Sequence, residues 1–296
     1  MSSVLYDTPG PKARRRNALY TVVFALVSVA VLWWVLSVMG DKGQLEAAKW
    51  KPFVADSQVW TTYLLPGLGE TLKAAALAIV IALPVGALLG IGRLSEHAWV
   101  RIPAGAVVEF FRAIPVLMLM IFGSALYVQF TDVSSDVRPL YAVVTGLVLY
   151  NASVIAEILR AGIESLPRGQ TDAAKAVGMR KSQVMQYVLL PQAVTAMLPA
   201  LVSQLVVILK DTALGGAVLG IADLMATYRT IPANYGSNTI ATLVVLAVIY
   251  ILVNFVLTSF ASWLERRLRS SKRTSDAVVP PGTVDDMATG RNSDAS

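Results

Sequence analysis

Six side chains in this sequence combine charge or hydrogen-bonding capacity with a place inside long apolar runs: Arg112, Asn151, Glu157, Lys210, Asp211 and Thr212. Charged groups at membrane depth are costly and usually face a bundle interior or a water-filled cavity. Arg112 lies about eight residues into its run, ~12 Å at 1.5 Å per residue, and Glu157 about six residues from the same edge, ~9 Å. Similar depth and opposite sign leave two readings open. Either the pair is internal, or it holds a zwitterion, with Arg112 on the carboxylate and Glu157 on the ammonium. Arginine suits the first task because its planar fork can grip a carboxylate through two hydrogen bonds. Glu109, three residues before Arg112, offers a further intrahelical pair. Arg160 and Glu164 share a face with Glu157 and, nearer the interface, would organise the polar loop that follows.

Lys210, Asp211 and Thr212 fall about 18 residues into their run, ~27 Å along it and so towards its other end. They read either as a snorkelling lysine with a neighbouring aspartate or as the outer lining of a passage, where Lys210 would attract an acidic solute. Asn151 and Ser153 are polar-lining candidates, though helix–helix hydrogen bonds explain them equally well. Asp223 and Arg229 read as solvated loop residues, or as a docking point for an external protein. Reaction chemistry has little to work with. The chain has no cysteine, so thiolate metal sites and a cysteine nucleophile are excluded, and its single histidine, His97, argues against a histidine-based metal or catalytic centre. No G-x-x-x-x-G-K-[ST] stretch occurs, so the chain does not bind ATP by that route. No metal and no cofactor are expected on it.

The elements that must position these groups are apolar helices. Apolar residues make up 55% and charged residues 15%, against about 45–50% and about 25% in soluble domains, so the chain is read as an all-α polytopic membrane protein. Six runs are long enough to cross the hydrocarbon core: 18–39, 71–91, 104–128, 140–163, 192–215 and 238–263. The run 18–39 is read as an uncleaved anchor, since the residues after it make a poor signal-peptide cleavage site. Pro84, Pro115 and Pro199 lie within runs, where neighbouring helices can satisfy the freed backbone groups. Gly86-x-x-x-Gly90 could allow close helix packing. The Gly215-Gly216 pair argues against one continuous helix from 192 to 228. Around the core, 70–265, stand a polar tail (1–17), the first helix (18–39), a mixed segment (40–69) and a charged tail (266–296) read as disordered. Trp50, Phe53, Trp60 and Tyr63 suit 40–69 to the headgroup zone. Lys and Arg number seventeen on the side of the two tails and of 164–191, against five on the other. Both termini and 164–191 are therefore expected in the cytoplasm, and the net charge of +6 reflects orientation rather than a nucleic-acid partner.

The stretch 164–191 reads as a helix–turn–helix plug outside the lipid. Pro167 suits a first helical turn, Thr171 and Asp172 favour the helix start, and Ala173, Ala174, Lys175 and Ala176 propagate it. Gly178 stands where a left-handed C-terminal cap is wanted. A short amphipathic helix over 181–190 follows, and Pro191 is expected to stop it.

Asp172-Ala173-Ala174, then Gly178, then Val188-Leu189-Leu190-Pro191 resemble the EAA loop of bacterial ABC importer permeases, with Asp in place of the usual Glu and Val188 in place of the usual Ile. Ala156–Ile163, Leu209–Leu214 and Glu109-Phe-Phe-Arg112 with Pro115 resemble its polar amino-acid branch, nearest to glutamate-uptake permeases of the actinobacterial type. The resemblance spans roughly 60–265 and implies a type I ABC importer permease-like bundle in the bacterial cytoplasmic membrane, its coupling helix within 167–190. It implies further partners: an ATP-binding cassette ATPase that carries ATP and Mg, a second permease subunit, and an extracytoplasmic substrate-binding protein. The cargo it implies is a small amino acid, with glutamate favoured. The first span, 18–39, is atypical of that branch. Two other classes stay open. A secondary transporter would need ion-coupling residues and internal repeats, and a membrane scaffold would need Arg112 and Glu157 to be purely structural.

Overall fold

The computed structural model describes residues 10–270. Every described element is helical: α1 (Pro11–Asp41), α2 (Ala47–Ala55), a π-helical turn (Val59–Leu64), α3 (Leu65–Arg93), α4 (Ala98–Ala113), α5 (Val116–Phe130), α6 (Arg138–Glu164), α7 (Arg168–Ala176), α8 (Lys181–Gln183), a second π turn (Val184–Leu189), α9 (Leu190–Val218), α10 (Thr227–Asn234) and α11 (Thr239–Ser270). Among the described residues five helices are long and apolar enough to span a membrane, and α4 with α5, bent at the break between them, counts as a sixth if the pair is one span. The last helix passes Arg266 and runs to Ser270, beyond the point at which order was expected to end. The rest of that tail and residues 1–9 lie outside the described residues.

The chain forms two compact units. The first comprises the residues up to Leu65 with Thr227–Leu246. Helix α1 has no buried residue, the pattern of a helix whose whole circumference meets lipid or a partner. After it, the aromatic segment is tied down by its own polar edges. Trp60 donates its indole N–H to the Phe53 carbonyl at 2.8 Å, Tyr235 donates its hydroxyl to Asp56 at 2.9 Å, and Lys49 donates to the Gly236 carbonyl at 2.8 Å.

The second unit, Pro66–Ala226 with the chain from Ala247 onward, is organised around α6, which packs against α4, α5 and α9. Its core combines Ala74 and Ala78 of α3, Met120 of α5, Leu140, Val143, Val144 and Leu147 of α6, and Ile208 of α9. Small residues set the helix spacing. A Cβ on Gly86 would lie 2.7 Å from the Ala152 carbonyl and from Ile155, and one on Gly90 would lie 2.8 Å from Leu159. The Gly86-x-x-x-Gly90 pair therefore brings α3 against α6 within the chain.

Two expectations drawn from proline are corrected. The run 104–128 is not one straight span: α4 and α5 meet at 100°. Pro115 lacks an N–H and forces the residue before it out of the helical region, so Ile114 is extended at φ −95°, ψ 129°. Depth counted along a straight helix therefore does not hold for Arg112. Pro191, by contrast, stops nothing, since helix continues from Lys181 to Val218. The turn before it widens, Leu190 N–H reaching back five residues to the Met185 carbonyl, which accommodates a residue that can neither donate nor tolerate a crowded carbonyl. Gln192 then donates its side-chain amide to the Val188 carbonyl at 2.9 Å. As the paired glycines led one to expect, helix does not run on from 192 to 228: α9 ends at Val218, just past Gly215 and Gly216, and Gly220 at φ +75° marks the turn.

Replacing Gly86 with Ala should cost about 1–3 kcal/mol, the usual penalty of overpacking. It is expected to lower the thermal unfolding midpoint in detergent. Gly105→Ala, into open space, should leave the midpoint unchanged or raise it slightly.

Candidate translocation site and coupling loop

Glu157 stands near the end of α6, facing the C-terminal ends of α3 and α4. Gly86, Gly90 and Arg93 lie at spacings of four and three, one face of α3, so the face that approaches α6 through glycine ends in a guanidinium. Arg93 Nη1 meets Glu157 Oε2 at 2.8 Å, and its Nη2 meets Glu109 Oε1 at 2.9 Å. Arg160 engages the other oxygen, Nη2 to Oε1 at 2.5 Å, and also pairs with Glu164. Arg112 is held more loosely, Nη1 lying 3.5 Å from Glu157 and 3.7 Å from Glu109. Three guanidiniums and three carboxylates thus balance in one cluster.

Arg93 is 14% exposed, Glu157 23% and Arg112 36%, which orders the cluster from a sequestered centre to an open edge. A cavity of about 450 Å³ opens at that edge, lined by Glu109, Arg112, Ala113, Tyr150, Val154, Glu157 and Ile158. It falls in the size range of small-ligand sites. Arg112 and Glu157 do come together, as one of the two readings required. Both Glu157 oxygens are occupied by arginines, however, while Arg112 has fork donors facing the cavity at longer range. An incoming carboxylate would therefore find its partner in Arg112 more readily than an ammonium would find one in Glu157.

The other candidates lie elsewhere. Asn151 is fully buried, donates to the Leu147 carbonyl at 2.7 Å, and accepts from Gln204 of α9. It clamps α6 to α9 and does not line the cavity. Ser153 is likewise buried, donating to the Leu149 carbonyl. Lys210, Asp211 and Thr212 are consecutive on a helix and so point about 100° apart. Thr212 faces inward and donates to the Leu209 carbonyl at 2.7 Å, Asp211 is half-buried, and Lys210 is exposed beside an apolar groove of about 680 Å³ between α9 and α11. Asp223 is not solvated but fully buried, whereas Arg229 is exposed and donates to the Tyr228 hydroxyl.

The plug forms as a helix that starts beside Pro167, as a proline in the first turn implied, and not at Thr171 and Asp172. Pro167 is its N-cap and Arg168 its first residue, so Asp172 sits mid-helix rather than at the start. Its end is a Schellman motif: Gly178 N–H donates to the Lys175 carbonyl at 3.0 Å and Met179 N–H to the Ala174 carbonyl at 3.2 Å, with Gly178 at φ +84°. Ala174 turns inward, while Asp172, Ala173 and Val177 are exposed. Leu190 packs with Leu189, Met185 and Leu166 against Leu159, Ile163, Ala193 and Met197, and Gln192 donates to Gln170 at 3.3 Å. Val188 contributes its carbonyl to that same Gln192, and Pro191 is exposed. Lys181 pairs with Glu96 in the turn between α3 and α4, so the plug is tied to the helix that carries Arg112.

Arg93, Gln204 and the Lys181–Glu96 pair are the residues sequence reasoning missed. The glycine face of α3, extended by one turn, is the signal that points to Arg93.

These features define a polytopic helical membrane protein with a charge-lined cavity and a capped polar plug held on its central helices. The chain belongs to the binding-protein-dependent transport system inner membrane components, whose family model matches residues 82–270. It is 48% identical over 241 residues to the glutamate transport system permease protein GluD of Corynebacterium glutamicum, covering 81% of this chain and 87% of that protein. It is 36% identical to the glutamate/aspartate import permease protein GltK of Escherichia coli O157:H7, covering 69% and 93%. Among solved structures, an amino acid ABC transporter with histidines superposes with a TM-score of 0.63 at 29% identity over 70% of this chain and 95% of that one. The inward-facing MetNI methionine ABC transporter shares the fold, with a TM-score of 0.58 at 23% identity over 73% and 99%.

Removing the central carboxylate should expose the arginine cluster. Glu157→Gln is expected to cost about 1–3 kcal/mol, less than the ~3–5 kcal/mol of breaking a fully buried pair, because water reaches this one. The loss would appear as a lower unfolding midpoint, deepest at low salt. Adding Arg112→Gln should recover part of it, as coupled neighbours do.

Proposed function

We propose that this chain is the permease subunit of an ATP-driven importer of amino acids, with glutamate as the favoured cargo. The observation that supports the cargo most strongly is the 48% identity to GluD across 81% of the chain. The Arg112-edged cavity agrees with it, since every amino acid presents a carboxylate and an acidic one presents two.

The mechanism follows from what the residues can do. Arg112 offers a bidentate fork at the cavity mouth, while Arg93 and Arg160 hold Glu157 so that it does not neutralise Arg112 outright. Helix α7 offers Asp172, Ala173 and Val177 as a small exposed face to a cleft on an ATPase subunit, which carries the ATP and Mg. Its Schellman cap and its anchorage through Leu190 make it stiff enough to pass a rigid-body displacement to α6 and α9. Through Lys181 and Glu96 the same displacement reaches α4, and hence Arg112. A second permease subunit completes the passage, and an extracytoplasmic substrate-binding protein delivers the solute. Both termini and the plug face the cytoplasm in this reading, in line with the seventeen-to-five distribution of Lys and Arg.

Uptake of labelled glutamate in cells expressing the complete transporter tests the proposal, with membrane insertion followed in parallel. Gly178→Pro cannot adopt φ +84° and loses the N–H that closes the cap. It should abolish uptake while leaving insertion normal. Arg112→Ala should raise the half-saturating concentration at least about tenfold, the order expected for losing a charge-assisted hydrogen bond of about 1.5–3 kcal/mol. Unchanged uptake in Gly178→Pro would defeat the coupling role, and unchanged affinity in Arg112→Ala would defeat the carboxylate site.

A further inference from the structure

Asp223 lies in the return 219–226, past the end of α9, and is completely buried. Its Oδ1 accepts the Ala226 N–H at 2.9 Å. Its Oδ2 accepts no hydrogen bond. Unsatisfied buried oxygens are rare in folded proteins and costly when charged.

The site is shaped around the carboxyl group. A Cβ on Gly216 would fall 1.6 Å from Asp223 Oδ1, so only glycine at that turn of α9 admits the side chain. One residue further on, the return is clipped to α3, where the hydroxyl of fully buried Thr71 accepts the Leu224 N–H at 3.0 Å. Gly67 of α3 leaves room for the backbone of Asp223 and Leu224, which approach its missing Cβ to 3.0 Å. At the ends of the surrounding helices that flank the return, the charged groups are Glu70 and Lys73 of α3, which pair with each other at 3.2 Å, Lys210 and Asp211 of α9, and Arg138 of α6, which donates to the Val133 carbonyl. Tyr250 is the titratable group that α11 presents.

We propose that Asp223 is a proton-binding site that latches the return 219–226 onto α3 and α9. With a proton on Oδ2, the oxygen that has no hydrogen bond, the neutral acid rests beside Gly216 and the return stays docked. When that proton leaves to water, the carboxylate is drawn out of its dry cleft and the return lifts.

The direction of the response follows from linkage. Burial pushes the Asp223 carboxyl from 3.8 up to about 7, while the amides of Ala226 and Met225 pull it down by less. The docked state therefore holds the proton more tightly than the lifted state, where the side chain is an ordinary solvated aspartate. Docking is favoured at low pH and weakens as pH climbs through the window from 3.8 to about 7. The response would be read on whichever side of the membrane the return faces.

The chain contains no cysteine, so a single introduced thiol reports on the return. Leu224→Cys places it at a fully buried position and Ala222→Cys at an exposed neighbour. Both would be labelled with a maleimide in the full-length chain in lipid nanodiscs. The ratio of the two rates cancels the pH dependence of the thiol chemistry. That ratio should rise more than about tenfold between pH 5 and pH 7. Asp223→Asn should flatten it, and Gly216→Ala should keep it high throughout by displacing the carboxyl. Should Leu224→Cys fail to insert, amide exchange of 219–226 against an exposed segment of the cysteine-free chain gives the same measure. A flat ratio with Asp223 in place, or a slope that persists in Asp223→Asn, would overturn the proposal. Neither result depends on transport, so the permease reading is tested separately.

Discussion

The second unit depends on keeping one carboxylate charged at the edge of an apolar bundle. Glu157 does not stand alone in low dielectric: Arg93, Arg112 and Arg160 reach it from three helices. Each guanidinium is itself shared with Glu109 or Glu164, so attraction is distributed, and both Glu157 oxygens are engaged. Such pairs contribute little net stability once desolvation is counted. Their effect is geometric, because a fork that must satisfy two carboxylates fixes the positions of the helices that carry them. The ends of α3, α4 and α6 are thus registered by charge where their middles are registered by glycine.

Conformation at proline follows from what surrounds it. Pro115 breaks the chain into α4 and α5 at 100°. Pro191 lies in an unbroken helix because the turn before it widens and a glutamine amide serves the Val188 carbonyl. Pro66, after Leu64-Leu65, is preceded by a π turn of the same length, Val59–Leu64. The shared Leu-Leu-Pro sequence goes with the same backbone solution in both places.

Much of this was legible in sequence, for identifiable reasons. Spanning runs and the cap at Gly178 rest on short-range pattern, and the meeting of Arg112 with Glu157 was legible from their opposite charge inside apolar runs. What sequence concealed depended on distant partners. Arg93, just past the spanning run 71–91, gains its role only when α6 supplies Glu157, and of the two readings open for Asn151 only the distant Gln204 selects the helix–helix hydrogen bond. Asp223 read as solvated because nothing nearby in the chain shows that Gly216 and Gly67 make room for it. The paired glycines 215–216 were read as weakening a helix, whereas their small size also serves tertiary approach. Local rules cannot separate those two uses of glycine.

The widened turn at Val184–Leu189 also has an angular consequence. One extra residue in a turn advances a helix by about 100° around its axis. The side chains ahead of it therefore face a different compass bearing from the one α9 would dictate if it simply continued backwards. Val184 is buried there while Ala193 and Met197 are buried beyond it, and the insertion brings both sets onto packed surfaces despite the proline between them. Length in this stretch is accordingly a phase setting. Deleting one residue would swing everything upstream, the plug included, about a quarter-turn around the bundle while leaving its composition almost unchanged.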